Sequence, residues 1–205
     1  MSAADYLPSE LSLKALQVSS RDCHGCELYQ RATQTVFGEG SPGARIMFIG
    51  EQPGDEEDLR GHPFVGPAGR LLNELLAEAG IERRDAYVTN VVKHFKWEPR
   101  GKRRIHQKPG AGEVKACLPW LQAEIEVMQP KILVLLGATA AQALLGKSFR
   151  VTEQRGQKLD YAQRLALATV HPSSILRQRT SQDRARERRL FIQDMLRVRE
   201  LMSLE

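Results

Sequence analysis

Short apolar segments of strand type alternate with helical patterns along most of this chain, and this alternation limits the possible folds more than any other feature. The segment KILVLLG is aliphatic almost throughout, which is typical of a strand buried on both faces of a sheet. The strand-type segments are RIMFIG (45–50), AYVTNVV (86–92), KILVLLG (131–137) and RLALATVHP (164–172). Strands alternating with helices indicate an α/β class fold. We predict a single three-layer α/β/α domain around a central, mainly parallel four-stranded sheet.

The helical patterns complete this single-domain prediction for the whole chain. Apolar residues recur at helical spacing in PAGRLLNELLAEAGI, and Gly80 is a predicted C-cap of that helix. A short helix is expected at 9–18, and RDCHGCELYQRAT at 21–33 is interpreted as a turn that opens a helix. Pro119 is expected to kink or restart the helix predicted at 112–130. An amphipathic helix closes the chain, and its RARERRL run is interpreted as a solvated face.

The composition limits the classes of protein to which the chain can belong. Hydrophobic residues make up 41% of the 205 positions, enough for a core, and no apolar window is long enough to predict a membrane span. The N-terminus lacks a basic start followed by an apolar run, and the three cysteines are an odd number. We therefore expect a reduced, cytoplasmic protein. The net charge of +5 and the pI near 9.3 favour an anionic partner, and nucleic acid is the leading hypothesis.

Unusual residues follow each predicted strand. GEQPG comes after the first strand, TN closes the second, GATA follows the third and HPSS follows the fourth. Ligands of open parallel sheets bind beyond the carboxyl ends of the strands. Four separate loops are therefore predicted to meet at one rim of the sheet and to form the functional site there.

The stretch GEQPGDEEDLRGHPFVGPAGRLL at 50–72 carries the densest signal. Its glycines and prolines allow tight turns close to a ligand. Glu51 and Asp55 carry carboxylates that can position a water molecule, and Phe64 lies outside any helical pattern, where its ring can stack on a planar group. The alternative is an ordinary acidic loop with Phe64 in the core. A loop of this length inside a compact domain favours the functional interpretation.

Two further groups of residues each allow a functional and a structural interpretation. In HPSSILR, His171 would lie on the rim, and Ser173 and Ser174 would cap a helix whose free N–H groups hold a phosphate; the alternative is a capped helix with a hydrogen-bonded histidine. The spacing of Cys23 and Cys26 is a recurrent metal half-site. The possible metal set is Cys23, Cys26, His94 and Cys117. From the residues alone, the alternative that the three cysteines are reduced and unrelated explains the pattern at least as well as a metal site.

A basic stretch, TNVVKHFKWEPRGKRRIHQKPG at 89–110, has almost no apolar pattern to bury. It is predicted to form a long polar loop from about His94 to Ala111. His106 ends the basic tetrapeptide of this loop. Without further information, His106 is interpreted as an exposed histidine that touches phosphate.

The motifs GEQPGDEEDLRGHPFVGPAGRLL, TNVVK and HPSSILR resemble those of the iron–sulfur uracil-DNA glycosylases of families 4 and 5. The resemblance runs from about Cys23 to the final helix. Family 4 typically has GEAPG and a cysteine directly after TNVVK, where this chain has Gln52 and His94, and family 4 lacks the KRRIH insertion at 102–106. These three departures agree with the UdgX-type branch of the superfamily.

The resemblance implies a cofactor and a base-flipping enzyme. It implies a [4Fe–4S] cluster whose ligands are Cys23, Cys26, His94 and Cys117. Uracil in DNA is reached only after the nucleotide is swung out of the stack. By similarity, Phe64 stacks on the uracil, Asn90 hydrogen-bonds its polar edge, and His171 hydrogen-bonds O2 and stabilises the leaving anion. Gly50 and Ser173 also belong to the expected substrate-contacting set, and Gln52 and Asp55 are expected near the sugar.

In the UdgX-type branch, the histidine of KRRIH captures the electron-poor C1′ in place of water. By this resemblance His106 becomes covalently attached to the abasic sugar, and each protein acts once. Glu51 is expected to orient the ring of His106 by accepting its other N–H. Phosphates are expected to be bound by Lys102, Arg103 and Arg104.

The expected partner is uracil-containing DNA, single-stranded by preference and bound by a monomer, with the protein on the nucleoid when DNA is bound. One alternative is a conventional glycosylase with many turnovers, in which His106 only binds. Another is a module that binds uracil or damaged DNA without cutting. Release of free uracil and the number of events per protein separate these three.

Overall fold

A computed structural model of the chain describes residues 1–203. The central sheet has the strand order β1-β3-β2-β6-β8-β7, and the four inner strands are parallel. The strands are β1 (Glu39–Gly40), β2 (Ile46–Gly50), β3 (Ala86–Asn90), β4 (Trp97–Arg100), β5 (Arg103–His106), β6 (Ile132–Leu136), β7 (Leu159–Tyr161) and β8 (Arg164–Thr169). The predicted parallel core is confirmed, and two short antiparallel strands, β1 and β7, extend it at its edges.

Helices cover both faces of the sheet. The α-helices are α1 (Leu13–Ser20), α2 (Asp55–Arg60), α3 (Pro67–Glu78), α4 (Ala111–Met128), α5 (Ala138–Leu145), α6 (Val151–Gln154), α7 (Pro172–Leu176) and α8 (Ser181–Ser203), with 3-10 helices at Ala3–Tyr6, Glu27–Gln30 and Arg83–Asp85. The helices α3, α7 and α8 pack together on one side, and α1, α4 and α5 lie on the other. The three-layer α/β/α prediction is therefore confirmed. Within residues 1–203, no helix has the length and apolar character that crossing a membrane requires.

The pleat of the inner strands divides their side chains between two hydrophobic cores. In β2, Phe48 faces the core formed with α3 and α8, whereas Met47 and Ile49 face the core formed with α4. Every residue of β6 is fully buried, as expected for the aliphatic segment 131–137. Burial on both faces fixes the register of these strands, because a slip of one residue would exchange the two cores.

Several local predictions differ from the structure. The N-terminal helix lies at Leu13–Ser20 rather than at 9–18, because the Ser12 hydroxyl accepts the N–H of Ala15 and starts the helix there. The 21–33 segment forms a single 3-10 turn rather than opening an α-helix. Pro119 neither stops nor restarts α4. Burial of neighbouring side chains such as Trp120 and Leu121 offsets the cost of its missing N–H.

The stretch expected to be a loop from His94 to Ala111 contains a β-hairpin. Strands β4 and β5 pair antiparallel, with Trp97 opposite His106 and Arg100 opposite Arg103. Gly101, with φ of 60°, supplies the left-handed residue of the tight turn. The basic composition hid this hairpin, because its side chains do not alternate between apolar and polar. The hairpin starts seven residues after β3 ends, and Glu51 and Gln52, which follow β2, lie against its base, so it stands at the rim of the sheet.

Candidate functional site

The loops at the carboxyl ends of β2, β3, β6 and β8 touch one another. The Thr139 hydroxyl, in the first turn of α5 after β6, donates a hydrogen bond to the Glu51 carboxylate after β2. The Phe64 and His171 rings stack with their centroids 6.2 Å apart and their planes at 28°. A methyl group on Gly137 would lie 3.1 Å from the His171 Cβ. The structure thus brings together the rim residues that the sequence places after separate strands.

Gly50, Asn90 and Phe64 form the floor of this rim. A Cβ on Gly50 would lie 2.3 Å from the Asn90 Oδ1 and 2.9 Å from the Phe64 Cζ, so only glycine allows both side chains this approach. Asn90 is 3% exposed, and its side-chain amide makes no hydrogen bond within residues 1–203. A buried amide with free donor and acceptor atoms can bind a planar polar group.

Phe64 is held in an unusual conformation by its surroundings. Its φ of 58° lies in the left-handed region, which is costly for an aromatic residue. Gly69 in α3 packs directly against the backbone of Phe64, and a Cβ there would lie 1.7 Å from the Phe64 carbonyl oxygen. Tight packing therefore fixes the ring at the rim, with its face towards His171. Sequence reasoning placed a ring face here but gave no sign of the strain.

Hydrogen bonds define the tautomer of His171, the N-cap residue of α7. The Ser173 N–H donates to the His171 Nδ1 at 3.2 Å, and the Ser173 Oγ lies 2.8 Å from the same nitrogen. Burial, followed by the charges of Arg177 and His106, lowers the pKa of His171 from 6.5 to about 4. The ring is therefore neutral at pH 7, with its hydrogen on Nε2, and can donate one hydrogen bond to a ligand.

His106 ends β5 at the mouth of the site. Its Nε2 lies 3.5 Å from the Glu51 Oε1, and about half of its side chain is exposed. The other Glu51 oxygen accepts the Thr139 hydroxyl, so the carboxylate is oriented from one side and faces the imidazole with the other. The Phe95 ring, buried beneath the hairpin, lies 6.1 Å from the imidazole. A carboxylate, an imidazole and a floor for a planar group thus share one opening.

Gln52 fastens the base of the hairpin and is itself buried. Its Nε2 donates to the carbonyl oxygens of Lys96 at 3.3 Å and Gln107 at 3.0 Å. Its Oε1 accepts the N–H of Lys96 at 3.2 Å. These bonds clamp the chain just before β4 to the chain just after β5. The resemblance implies a position near the sugar for Gln52, and the structure shows its amide hydrogen-bonded to the backbone next to His106.

Arg104 differs from the other cations of KRRIH, because carboxylates of the protein bind it. It donates from Nε to the Asp55 Oδ1 and from Nη1 to the Asp58 Oδ2, both at 2.6 Å. Its guanidinium also lies 5.4 Å from the Phe95 ring centroid. Lys102 and Arg103 remain exposed near the hairpin turn. Arg104 and Asp55 therefore anchor the hairpin to α2, while Lys102 and Arg103 face solvent.

The three cysteines lie close enough to affect one another's ionisation. The Trp120 Nε1–H donates to the Cys23 Sγ, and the Lys93 N–H donates to the Cys117 Sγ, each at 3.2 Å. Burial, then the charges of Cys26 and Cys23, raises the pKa of Cys117 to about 12, against the effect of Lys93. N–H groups directed at buried sulfurs suit thiolates that bind a positive ion.

His94 adds a nitrogen to this region. The Thr35 hydroxyl donates to the Ser20 carbonyl oxygen at 2.7 Å, so its oxygen accepts the His94 Nε2–H at 3.1 Å. The Nδ1 atom therefore carries the lone pair, and burial lowers the pKa of His94 to about 4. The donor chemistry suits a metal or cluster. In the part of the chain that is described, however, no three His, Cys, Asp or Glu side chains form a metal-binding group.

A buried ion pair links this region to the rim, and sequence reasoning missed it. The Lys93 Nζ donates to the Glu124 Oε2 at 2.5 Å, the Thr89 Oγ1 at 2.6 Å and the Asn90 carbonyl oxygen at 2.7 Å. The Tyr87 hydroxyl donates to the Glu124 Oε1 at 2.8 Å, and burial raises the pKa of Tyr87. This network fixes the end of β3, where Asn90 lies.

The sequence also gave no sign of Thr139, Asp58 or Arg177 as site residues, although all three lie in stretches that it had marked: GATA, GEQPGDEEDLRGHPFVGPAGRLL and HPSSILR. Each forms a hydrogen bond with a predicted residue: Thr139 with Glu51, Asp58 with Arg104, and Arg177 with Ser173. Supporting contacts of this kind depend on the tertiary fold rather than on local spacing.

Comparison with known proteins agrees with this geometry. The family model described as "Uracil DNA glycosylase superfamily" matches residues 37–196 of the chain. A type-4 uracil-DNA glycosylase of Thermotoga maritima is 40% identical over 187 residues, which cover 90% of this chain and 92% of that protein. A type-4 enzyme of Sulfurisphaera tokodaii is 35% identical, covering 93% and 84%, and a type-5 uracil-DNA glycosylase of Pyrobaculum aerophilum is 29% identical, covering 66% and 64%. The chain belongs to the uracil-DNA glycosylase superfamily.

Proposed function

We propose that this protein excises uracil from DNA and that His106 then captures C1′ of the deoxyribose, so that each protein acts once. The type-4 relatives support the excision. The observation that carries the capture is the 3.5 Å approach of the His106 Nε2 to the Glu51 Oε1 at the mouth of the site, on a hairpin clamped by Gln52.

Recognition of the base rests on the floor of the rim. A uracil swung out of the DNA stack fits against the Phe64 ring, whose position is fixed by packing. The free amide of Asn90 donates and accepts, which matches the adjacent O4 and N3–H of uracil. The absence of a side chain on Gly50 leaves room for both contacts.

Departure of the base requires stabilisation of an anion. When the bond between C1′ and N1 breaks, its electron pair leaves with uracil, and negative charge develops on O2. His171 is neutral and carries its hydrogen on Nε2, because Ser173 donates to Nδ1. The Nε2–H can therefore donate to O2 while the imidazole stays neutral. The sugar left behind is oxocarbenium-like at C1′.

Capture then forms a bond between imidazole nitrogen and C1′. The Glu51 carboxylate lies 3.5 Å from the His106 Nε2 and takes up the proton of that nitrogen, while the opposite nitrogen, Nδ1, supplies the lone pair for the new bond. The ring proton passes to Glu51, so the alkylated imidazole is neutral, and uracil leaves as the anion held by His171. The clamped hairpin gives His106 an effective concentration far above that of a free solute.

The substrate is proposed to be uracil-containing DNA, single-stranded by preference, because no base pair must then be broken before flipping. Lys102 and Arg103 are exposed near the hairpin turn and are proposed to bind the DNA phosphates. We propose that one chain suffices for the reaction, since the contacts described all lie within it.

A [4Fe–4S] cluster is proposed for the cysteine region, with Cys23, Cys26, Cys117 and the His94 Nδ1 as the residues that would hold it. Such a cluster would tie the N-terminal segment to the loop after β3. Iron and sulfide analysis of protein purified without oxygen tests this, together with a Cys117→Ser variant that should lose the iron. Colourless, iron-free protein would contradict the cluster, and zinc analysis would then identify the other metal that thiolates favour.

The capture is tested with a single-stranded oligonucleotide that contains one uracil. Wild-type protein should give a protein–DNA species that survives boiling in SDS, and mass spectrometry should place the sugar on His106. The His106→Ser variant should lose that species while still releasing uracil, because water then reaches C1′. His62→Ser is the matched control, because His62 is also an exposed histidine with a carboxylate partner, Glu39.

Two results would contradict the capture. Many uracils released per wild-type protein would identify a conventional glycosylase, and DNA bound without any release of uracil would identify a binding module. The role of Glu51 is tested separately by Glu51→Gln. This variant should form the adduct more slowly, and adduct formation at the wild-type rate would remove Glu51 from the mechanism.

A further inference from the structure

Arg177 lies just after α7, one helical turn beyond Ser173 and on the protein surface. Its Nη1 donates to the Ser173 Oγ at 3.0 Å. The same oxygen lies 2.8 Å from the His171 Nδ1. A chain of hydrogen bonds therefore runs from the exposed guanidinium to the imidazole that faces the pocket.

The chemistry of arginine favours one direction for this chain of hydrogen bonds. A guanidinium donates hydrogen bonds, has no acceptor and keeps its proton. The Ser173 Oγ uses one of its two lone pairs to accept from Arg177, and its hydroxyl hydrogen donates to the His171 Nδ1, which already accepts a backbone N–H. The Ser173 backbone N–H donates to that nitrogen as well. Both bonds require Nδ1 to be unprotonated, so the ring hydrogen lies on Nε2. Arg177 occupies one acceptor site of the hydroxyl and places a positive charge near the ring, so a hydrogen on Nδ1 is less favourable with Arg177 present than without it.

The charges around His171 act in the same direction. Arg177 from α7 and His106 from β5 both disfavour a proton on this ring. Phe64 covers one ring face and carries no charge. Arg184 of α8, packed against α7, donates to the carbonyl oxygens of Leu176 and Gln178 at the end of α7. Among residues 1–203, no carboxylate contributes to the shift of the His171 pKa.

We propose that Arg177 is a positioning residue for departure of the base: acting through Ser173, it holds His171 in the neutral tautomer that carries its hydrogen on Nε2. The inference rests on the proposed excision of uracil and adds a residue that does not touch the substrate. Arg177 thus has a different task from Lys102 and Arg103, although all three are exposed cations near the site.

The first test compares Arg177→Met with Arg179→Met. Arg179 is also exposed, and it makes no side-chain hydrogen bond or ion pair within the described residues. Both variants lose one surface charge, so any general weakening of DNA binding is matched. Single-turnover release of uracil at saturating protein should slow about tenfold for Arg177→Met at pH 7.5. Its acid limb should move up by about half a pH unit. Arg179→Met should follow the wild type in both respects.

A second measurement does not depend on activity. Nitrogen-15 NMR of histidine side chains reports the tautomer and the titration of His171 in protein without DNA. In wild type and Arg179→Met, the ring should be neutral with hydrogen on Nε2 down to about pH 5. In Arg177→Met, the second tautomer should become visible, and the ring should protonate at higher pH. Identical His171 spectra in the two variants would overturn the inference, whether or not the protein excises uracil.

A double-mutant cycle tests the path through Ser173. Ser173→Ala removes the hydroxyl while keeping the backbone N–H, so it should give the same tautomer change as Arg177→Met. Adding the second substitution to the first should have little further effect, because both break one chain. Fully additive losses would show that Arg177 acts on His171 by some other path and would overturn the proposal.

Discussion

The two histidines that flank the site, His106 and His171, lie in opposite surroundings. His106 is half exposed on a hairpin and faces the Glu51 carboxylate. His171 caps a helix, accepts hydrogen bonds from Ser173 on Nδ1 and lies within the field of Arg177. A carboxylate partner makes an imidazole a better base and nucleophile, whereas donors and a cation keep it a neutral donor. In the proposed reaction, one histidine therefore attacks the sugar and the other holds the departing base.

The largest effect should come from removing each of these histidines in turn. His171→Ala should lower single-turnover uracil release by about 10²–10³-fold, because one donor to the leaving anion is lost. The adduct should fall with it, since no C1′ cation forms without departure of the base. His106→Ala should lose the adduct and keep the release. A parallel assay of free uracil and of SDS-stable adduct measures both products. An equal fall in the rate of uracil release in the two variants would contradict separate roles for the two histidines.

Loosening the hairpin should separate capture from excision. Gln52→Ala removes the bonds to the Lys96 and Gln107 backbones and leaves His171 in place. Adduct formation should slow about tenfold, because His106 is held less closely over C1′. Uracil release should change less. Quenched-flow samples analysed for free uracil and for adduct give the two rates. We expect the rate of adduct formation to fall more than the rate of uracil release.

Arg104→Lys should lower stability by a moderate amount. A lysine cannot reproduce the separate bonds to Asp55 and Asp58. We expect the midpoint of thermal unfolding to fall by about 2–4 °C. Arg103→Lys is the matched control at the neighbouring exposed position, and its midpoint should stay at the wild-type value. Equal midpoints for the two variants would show that the hairpin is not anchored through Arg104.

The smallest effect concerns pH. Burial and nearby cations lower the folded pKa of His171 to about 4, below its usual 6.5. Between these values the unfolded chain binds the proton more readily, so this group stabilises the fold fully above about pH 6.5 and loses that contribution as pH falls towards 4. The thermal midpoint of wild type should therefore drop more steeply across this window than that of His171→Gln. If the thermal midpoints of the two proteins fall in parallel, His171 does not take up its proton in this pH window.

The strands and the rim were predictable from the sequence, because burial on both faces leaves a nearly continuous apolar run such as 131–137 and each loop follows its strand directly. The hairpin was not predictable. The hairpin is held by the bonds of Arg104 to Asp55 and Asp58 of α2 and by the Gln52 clamp, and neither leaves a periodic pattern. The hydrogen-bond partners of Gln52 and Arg104 were not predictable for the same reason, since a side chain's partner is set by the folded chain rather than by its neighbours in sequence.

Gly50 determines which changes the pocket can accept. Because a single methyl there would collide with both Asn90 and Phe64, the space available to a base is set by an atom that is missing rather than by one that is present. A search for variants with altered base preference therefore gains nothing at this position. New preferences must be introduced through the amide or the ring, while the backbone beneath them stays bare.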